Sequence, residues 1–121
     1  MKLTNGTIFN AQIALNKLSN ADLPIKTAYA VKKNVDALKK QIAFISERRN
    51  ELIRKYGKED MIDKEDKEAI EKFVNDFNEI LGIEEEIEIS TIDVEKLEDV
   101  KISASDLEAL SFMIAEKKNK Q

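Results

Sequence analysis

The sequence predicts a mainly helical α+β fold in a single domain over residues 1–121: a long antiparallel helical hairpin, an N-terminal helix packed on it, a small β element and a C-terminal helix. Three observations carry that prediction. Ala28, Val31, Val35, Leu38, Ile42, Ile45, Leu52 and Tyr56 recur at three- and four-residue steps, the pattern of a helix that lays one apolar stripe against a partner. Ile70, Phe73, Val74, Phe77, Ile80 and Leu81 repeat the stripe within residues 64–81 after a short link, which makes the two helices antiparallel neighbours. In residues 83–92 the period falls to two, with Ile87 and Ile89 alternating with Glu86, Glu88 and Ser90 as in a strand with one wet face. At about 1.5 Å per residue the first of these helices, residues 25–56, runs roughly 45–50 Å, longer than a small globule is wide. It is the spine of the prediction.

In chain order, residues 1–4 predict a short edge strand and Asn5-Gly6 a turn. Residues 7–19 predict a first helix that buries Ile8, Ala11, Ala14, Leu15 and Leu18, ended by Asn20 and Asp22. Leu23-Pro24 restarts the chain, because Pro is tolerated in a first helical turn and holds the residue before it extended. The spine follows, and only Arg49 interrupts its stripe. Gly57 suits the cap, with Arg54 and Lys55 against the negative end of the helix dipole. The link over residues 58–63 is polar apart from Met61 and Ile62; the second hairpin helix is entered through acidic residues and closed by Gly82. Residues 93–98 predict a helical turn and 99–102 a second short strand, which residues 1–4 complete as a small sheet. Ser105-Asp106-Leu107-Glu108 has capping-box spacing, with Ser103 a competing cap. The last helix is predicted to reach about residue 117 and to bury Leu107, Leu110, Met113 and Ile114, before a loose tail over 118–121.

Composition narrows the chemistry. With 42% apolar residues, three Gly and one Pro, 121 residues can bury a core of ordinary size without staples. The chain has no Cys and no His, which removes disulfides, thiolate nucleophiles, Cys/His zinc sites and the commonest general base, and with them Ser-His-Asp and Cys-His catalysis. No S-x-x-K, G-x-S-x-G or glycine-rich phosphate loop occurs. The expectation is a protein that is not an enzyme and uses no cofactor. Residues 1–10 hold one Lys and no long apolar run, so no signal peptide is expected, and no stretch approaches the roughly 18–20 apolar residues of a membrane span. The expected location is the cytoplasm.

Net charge is −4, unevenly spread. Residues 26–58 carry ten Lys/Arg against three acids, and residues 59–99 four Lys against seventeen acids. One reading is that the basic spine and the acidic second half complement one another as antiparallel neighbours, each exposed pair contributing only ~0.2–1 kcal/mol. The other is two polar surfaces of opposite sign, one of them offered to a partner.

The blocks Met1-Lys2-Leu3-Thr4-Asn5-Gly6, Asn10-Ala11 through Ala14-Leu15, Leu23-Pro24-Ile25-Lys26-Thr27-Ala28-Tyr29 and Lys33-Asn34 resemble a family of small proteins of unknown function from tailed phages and prophages of Gram-positive bacteria. Lys55-Tyr56-Gly57, Ile87-Glu88-Ile89-Ser90-Thr91-Ile92 and Ile102-Ser103-Ala104-Ser105-Asp106-Leu107, continuing to Phe112-Met113-Ile114, are similar to the same family. The resemblance covers most of the chain and is weakest between residues 58 and 77. It implies a phage origin and a location in the bacterial host, and it carries over no catalytic or binding residue.

The polar clusters are each open to a plain reading and a functional one. Glu84, Glu85, Glu86 and Glu88 are the solvated face of the predicted strand, or a carboxylate group converging on a divalent cation; no metal site is expected from them. Asp60, Asp63, Glu65 and Asp66 lack the order and the glycine of a calcium loop and fit a helix start. Lys32, Lys33, Lys39, Lys40, Arg48, Arg49, Arg54 and Lys55 could form a phosphate ladder, yet the spine lacks exposed aromatics suited to stacking bases and the chain is acidic overall, so nucleic acid is not the expected partner. Arg49 either pairs with an acid of the second hairpin helix or lies where the spine projects beyond the core and meets another protein. Phe9, Phe44 and Phe112 widen their stripes into a core, or mark a contact surface where exposed. The function expected is that of a non-enzymatic phage protein acting through protein–protein contact, a modulator or inhibitor of a host defence protein, with an accessory of virion or tail assembly as the alternative and nucleic-acid binding through residues 26–58 behind both. The expected partner is a host or phage protein, or a second copy of the chain, through Lys32, Lys33, Lys39, Lys40, Arg48, Arg49, Glu84, Glu85, Glu86 and Glu88. No membrane partner is expected.

Overall fold

Thr4 decides where the first helix begins. In the computed structural model, which describes residues 1–116, its hydroxyl oxygen accepts the Thr7 N–H at 3.1 Å, so Asn5 and Gly6 are the first helical residues and not a turn. A threonine one residue before a helix satisfies one of the four donors that the first turn leaves free. The element order is β1 (Lys2–Thr4), α1 (Asn5–Ser19), α2 (Ile25–Tyr56), α3 (Lys67–Leu81), β2 (Glu84–Glu86), β3 (Ile92–Asp93), α4 (Ala104–Ala109) and β4 (Ile114–Ala115). The mainly helical α+β class stands, and so do the spine and its partners. Helix α3 starts at Lys67, three residues later than the acidic run suggests, because Asp66 is its cap and accepts the Ala69 N–H at 3.1 Å.

Helix α1 lies on the first half of α2 and buries Ile8, Ala11, Ala14, Leu15 and Leu18 against Val31, Leu38 and Ile45. It stops at Asn5, whose backbone N–H donates to the Ile83 carbonyl at 2.9 Å and whose buried amide donates to the Ile80 carbonyl at 3.1 Å while accepting from Gln41 Nε2 at 2.9 Å. One asparagine therefore ties the start of α1 to the end of α3 and to the middle of α2. These partners satisfy a fully buried amide that would otherwise be costly.

The β portion differs from its prediction. Strand β2 pairs antiparallel with β1, Leu3 opposite Glu85, and stops at Glu86, so Ile87 and Ile89 lie outside any strand. The predicted strand over 99–102 is absent among the described residues; Ile92 and Asp93 pair instead, in parallel, with Ile114 and Ala115. Among the described residues there are thus two separate two-stranded ladders. Asn34 explains the change. Its side-chain amide donates to the Ser90 carbonyl at 2.8 Å and accepts the Ser90 N–H at 2.7 Å, a reciprocal pair that replaces a strand partner for this stretch. The C-terminal helix is also shorter than predicted. Ser103, not Ser105, caps it by accepting the Asp106 N–H at 3.0 Å, and after Ala109 the chain tightens into a 3₁₀ turn over Ser111–Met113 that sends Ile114 into β4. Leu110 and Met113 are nonetheless fully buried. The predicted tail over 118–121, and the last residue assigned to that helix, lie outside the described residues.

Residues 87–116 pack on α1 and on the first half of α2, bringing Ile92, Leu97, Leu110 and Met113 into the same core, and together these parts make a body. Residues 46–81 form an arm of two helices. Among the described residues, Ala69 is the one buried residue between positions 46 and 91, and it stands apart from the main core cluster. The accessible surface, 8925 Å², is roughly a third above the ~6,600 Å² that a compact monomer of 13.8 kDa exposes.

Candidate functional site on the helical arm

The arm is built like a hairpin whose outer side has been left unfinished. Leu52, Ile53 and Tyr56 of α2 and Ile70, Phe73, Phe77 and Ile80 of α3 are half-buried, and Val74 is 44% exposed. Phe73 stacks on Phe77 at 5.6 Å between ring centres, and Phe77 meets Phe9 of α1 edge-on at 5.5 Å, so a chain of three rings ties the inner end of the arm to the body. Each such pair contributes about 0.5–1.5 kcal/mol beyond area burial. Tyr56 donates to the Asp76 carboxylate and latches the two helices near the tip.

The opposite charges of the two hairpin helices do not pair across the hairpin. Among the described residues no ion pair joins α2 to α3; the ion pairs of these helices run along one helix, Lys32 with Asp36 at 2.8 Å, Arg48 with Glu51 at 3.0 Å and Lys72 with Glu68 at 3.1 Å. Complementarity between spine and acidic half is therefore not what holds the hairpin. The hydrogen bond and charge of Asp36 raise the Lys32 pKa above its ordinary value, and Lys32 lowers that of Asp36 in the same way. Glu68 raises Lys72 likewise.

Arg49 does not pair with an acid of α3, the first of its two predicted roles. It is exposed and makes no ion pair among the described residues, because it stands in the stripe of α2 at a level α1 does not reach. Its neighbour Arg48 behaves differently: its guanidinium lies 5.7 Å over the ring of Phe44, and its Nε is buried without a hydrogen-bond partner. Phe44, 38% exposed, is the member of the aromatic trio that faces out. Arg48, Glu51, Leu52, Asp76, Glu79, Ile80 and Ile83 line a cleft between the arm's helices.

At the tip, Lys58 and Met61 exchange two backbone hydrogen bonds of 2.8 and 3.0 Å around Glu59 and Asp60, which adopt φ of 53° and 62°. Positive φ at both central residues is the hairpin turn that Asn-Gly or Asp-Gly fills without strain. Here two acidic side chains fill it, and Met61 emerges beside them 69% exposed. Gly57 is required just before: a Cβ there would collide with the Met61 carbonyl and lie 2.7 Å from that of Ile53. No pattern in the sequence announces this turn, since neither central residue is Gly or Asn.

The remaining predicted contact residues lie on the body. Lys39 and Lys40 are exposed on α2, and Lys33 sits 5.7 Å over the ring of Tyr29, which is 63% exposed, so the spine does carry exposed aromatics, contrary to the expectation from its sequence. Glu84, Glu85 and Glu86 are the exposed residues of β2, and Glu86 pairs with the Met1 ammonium. Glu88 is beyond the strand, so it shares no strand face with Glu86; it meets Lys33, Asp36, Ala37 and Ser90 around a shallow recess. Lys33 and Glu88 thus line one recess without forming an ion pair among the described residues, and the predicted residues do not converge on a single site. Among the described residues no group of three or more acidic side chains gathers as a metal site would, and no helix is long and apolar enough to cross a membrane. The chain matches no family model, no curated protein and no solved structure with which it was compared.

Proposed function

We propose that this chain is a non-enzymatic interaction protein that works by laying its two-helix arm on the surface of another protein. The observation that carries the reading is the arm itself: thirty-six residues, 46–81, that keep an apolar stripe on both helices and bury a single side chain among the described residues. A helical pair of this kind gains most of its stability from what packs on its apolar face, and here much of that face is open to a partner. The sequence blocks that resemble phage proteins add the biological setting, in which the target is a host protein, one of its defences in particular.

A photo-reactive residue at position 74 tests this directly. Placed there in the full chain, produced in a phage-infected bacterial host and treated with nuclease before recovery, it is expected to form one dominant adduct with a host protein, and the same residue at position 13, on the body, is expected to form none. Adducts with virion proteins alone would move the role to assembly, and the absence of any adduct from position 74 would overturn the reading.

A further inference from the structure

The arm continues two stripes that α1 covers in the body. On α2, Arg49 follows Ile42 and Ile45 by seven and four residues, and Ile53 follows Arg49 by four. On α3, Val74 and Ile70 precede Phe77 by three and seven. Residues at these separations share a helix face. At the inner end of both stripes Ile42 packs on the core and Phe77 meets Phe9. Helix α1 then stops, its first residue Asn5 fastened to the carbonyls of Ile80 and Ile83, and the stripes run on towards the tip with no third helix over them among the described residues. Midway along lies Arg49, exposed and without an ion pair among the described residues.

We infer that this flank of the arm receives an amphipathic helix of the partner protein, which continues the track of α1 and sets a carboxylate against Arg49. The inference rests on the interaction reading above and names the chemistry of the contact. A wholly apolar helix would strip water from Arg49 without replacing it, and a basic helix would repel it; an acid within the apolar face supplies the counter-charge and fixes the register. The local charge agrees, since residues 46–56 carry four Lys/Arg against two acids. A second copy of the chain fits less well. Two copies related by a two-fold axis and laid flank to flank either set α2 on α2, basic on basic, or run parallel and bring their α1 helices into the same space.

Fluorescein-labelled synthetic helices as long as α3, 15 residues, test the inference by anisotropy with the full chain. Both carry a Leu/Ala stripe, one with Glu and the other with Lys at its central position. The Glu helix is expected to bind about 10-fold more tightly or better, a difference set by one partly desolvated charge pair. Arg49→Gln removes that preference and Arg49→Glu reverses it; Val74→Lys weakens both helices, and Ile25→Lys, at an 85% exposed body position, leaves both unchanged. Equal affinity for the two helices, or a preference that survives Arg49→Glu, overturns the inference. So does a dimer in sedimentation equilibrium that Val74→Lys dissociates, which would make the occupant a second copy. If the helices fail to discriminate while position 74 still captures a host protein, the inference falls and the interaction reading stands.

Discussion

The body and the arm share one helix and differ in what lies on it. From Ile25 to Ile45, α2 buries Thr27, Val31, Asn34, Leu38 and Ile45 beneath α1 and the C-terminal segment, whereas from 46 to 56 none of its residues is buried although the three- and four-residue spacing persists. Helix α3 repeats the lesson, with six apolar residues in its stripe and one buried residue, Ala69. A stripe states which face of a helix is apolar. A covering layer decides whether that face closes, and here the covering helix, α1, ends at Asn5.

The sharpest way to break this comparison is to delete equivalent bulk from each region. Leu38→Ala, at a fully buried position, is expected to lower unfolding free energy by about 2–5 kcal/mol, the range for core leucines. Val74→Ala, 44% exposed on the arm, is expected to lower it by less than about 1 kcal/mol. Urea denaturation of the two variants measures both. Equal losses would mean that the arm is as closed as the body.

What the sequence makes legible follows the same division. Helix periodicity marks α1, α2 and α3 because each buries or half-buries a continuous stripe, and even the interruption at Arg49 falls where the covering layer stops. The β portion is misplaced because alternation at Ile87 and Ile89 reflects two apolar residues reaching the core from an extended segment held by Asn34, and no spacing rule marks a strand partner that is a side chain. The C-terminal helix is overextended for a related reason: Leu110, Met113 and Ile114 fit helical spacing, and a 3₁₀ turn followed by β4 buries the first two just as well. The arm tip is illegible because Glu59 and Asp60 are poor residues for the backbone they adopt.

Asn34 gives the second test, within the body alone. Asn34→Leu keeps the volume and removes both partners of Ser90, leaving its N–H and carbonyl without their buried partner. The expected loss is about 1–3 kcal/mol, the range for an orphaned buried polar group. Hydrogen exchange is expected to rise in residues 87–93 while amides of the arm are unchanged, because the arm makes no use of this pair.

At the tip the sign inverts. Glu59→Asn with Asp60→Gly puts into the turn the residues that favour positive φ, and stabilisation of about 1 kcal/mol is expected, with little effect on the body. Arm amides are expected to exchange more slowly in this variant. If binding of the helical probes also weakens, the strained turn is part of the contact surface; if it is unchanged, the strain serves only to reverse the chain.

The smallest expected effect is electrostatic and separates two similar pairs. Asp36 and Lys32 pair on the body, Glu68 and Lys72 on the arm, both exposed and both four residues apart. Asp36 has its folded-state pKa lowered by Lys32, so the stability it contributes is present above the ordinary carboxylate value of 3.8 and is lost as pH falls through the lower folded value. Asp36→Asn is expected to flatten the acid limb of the stability curve slightly and to leave stability at neutral pH nearly unchanged, since an exposed pair is screened by water and salt. The carboxyl titration of Asp36, followed by NMR, reads the shift directly. Lys32 and Lys72 are both raised, so each stabilises the folded chain fully below the ordinary lysine value of 10.5 and loses that contribution as pH rises through the higher folded value. Because the ties of α3 to α1 lie at its inner end, at Phe77 and Ile80, and Lys72 stands further out, its pair is expected to melt with the arm, so the Lys72 contribution disappears at a lower urea concentration than that of Lys32.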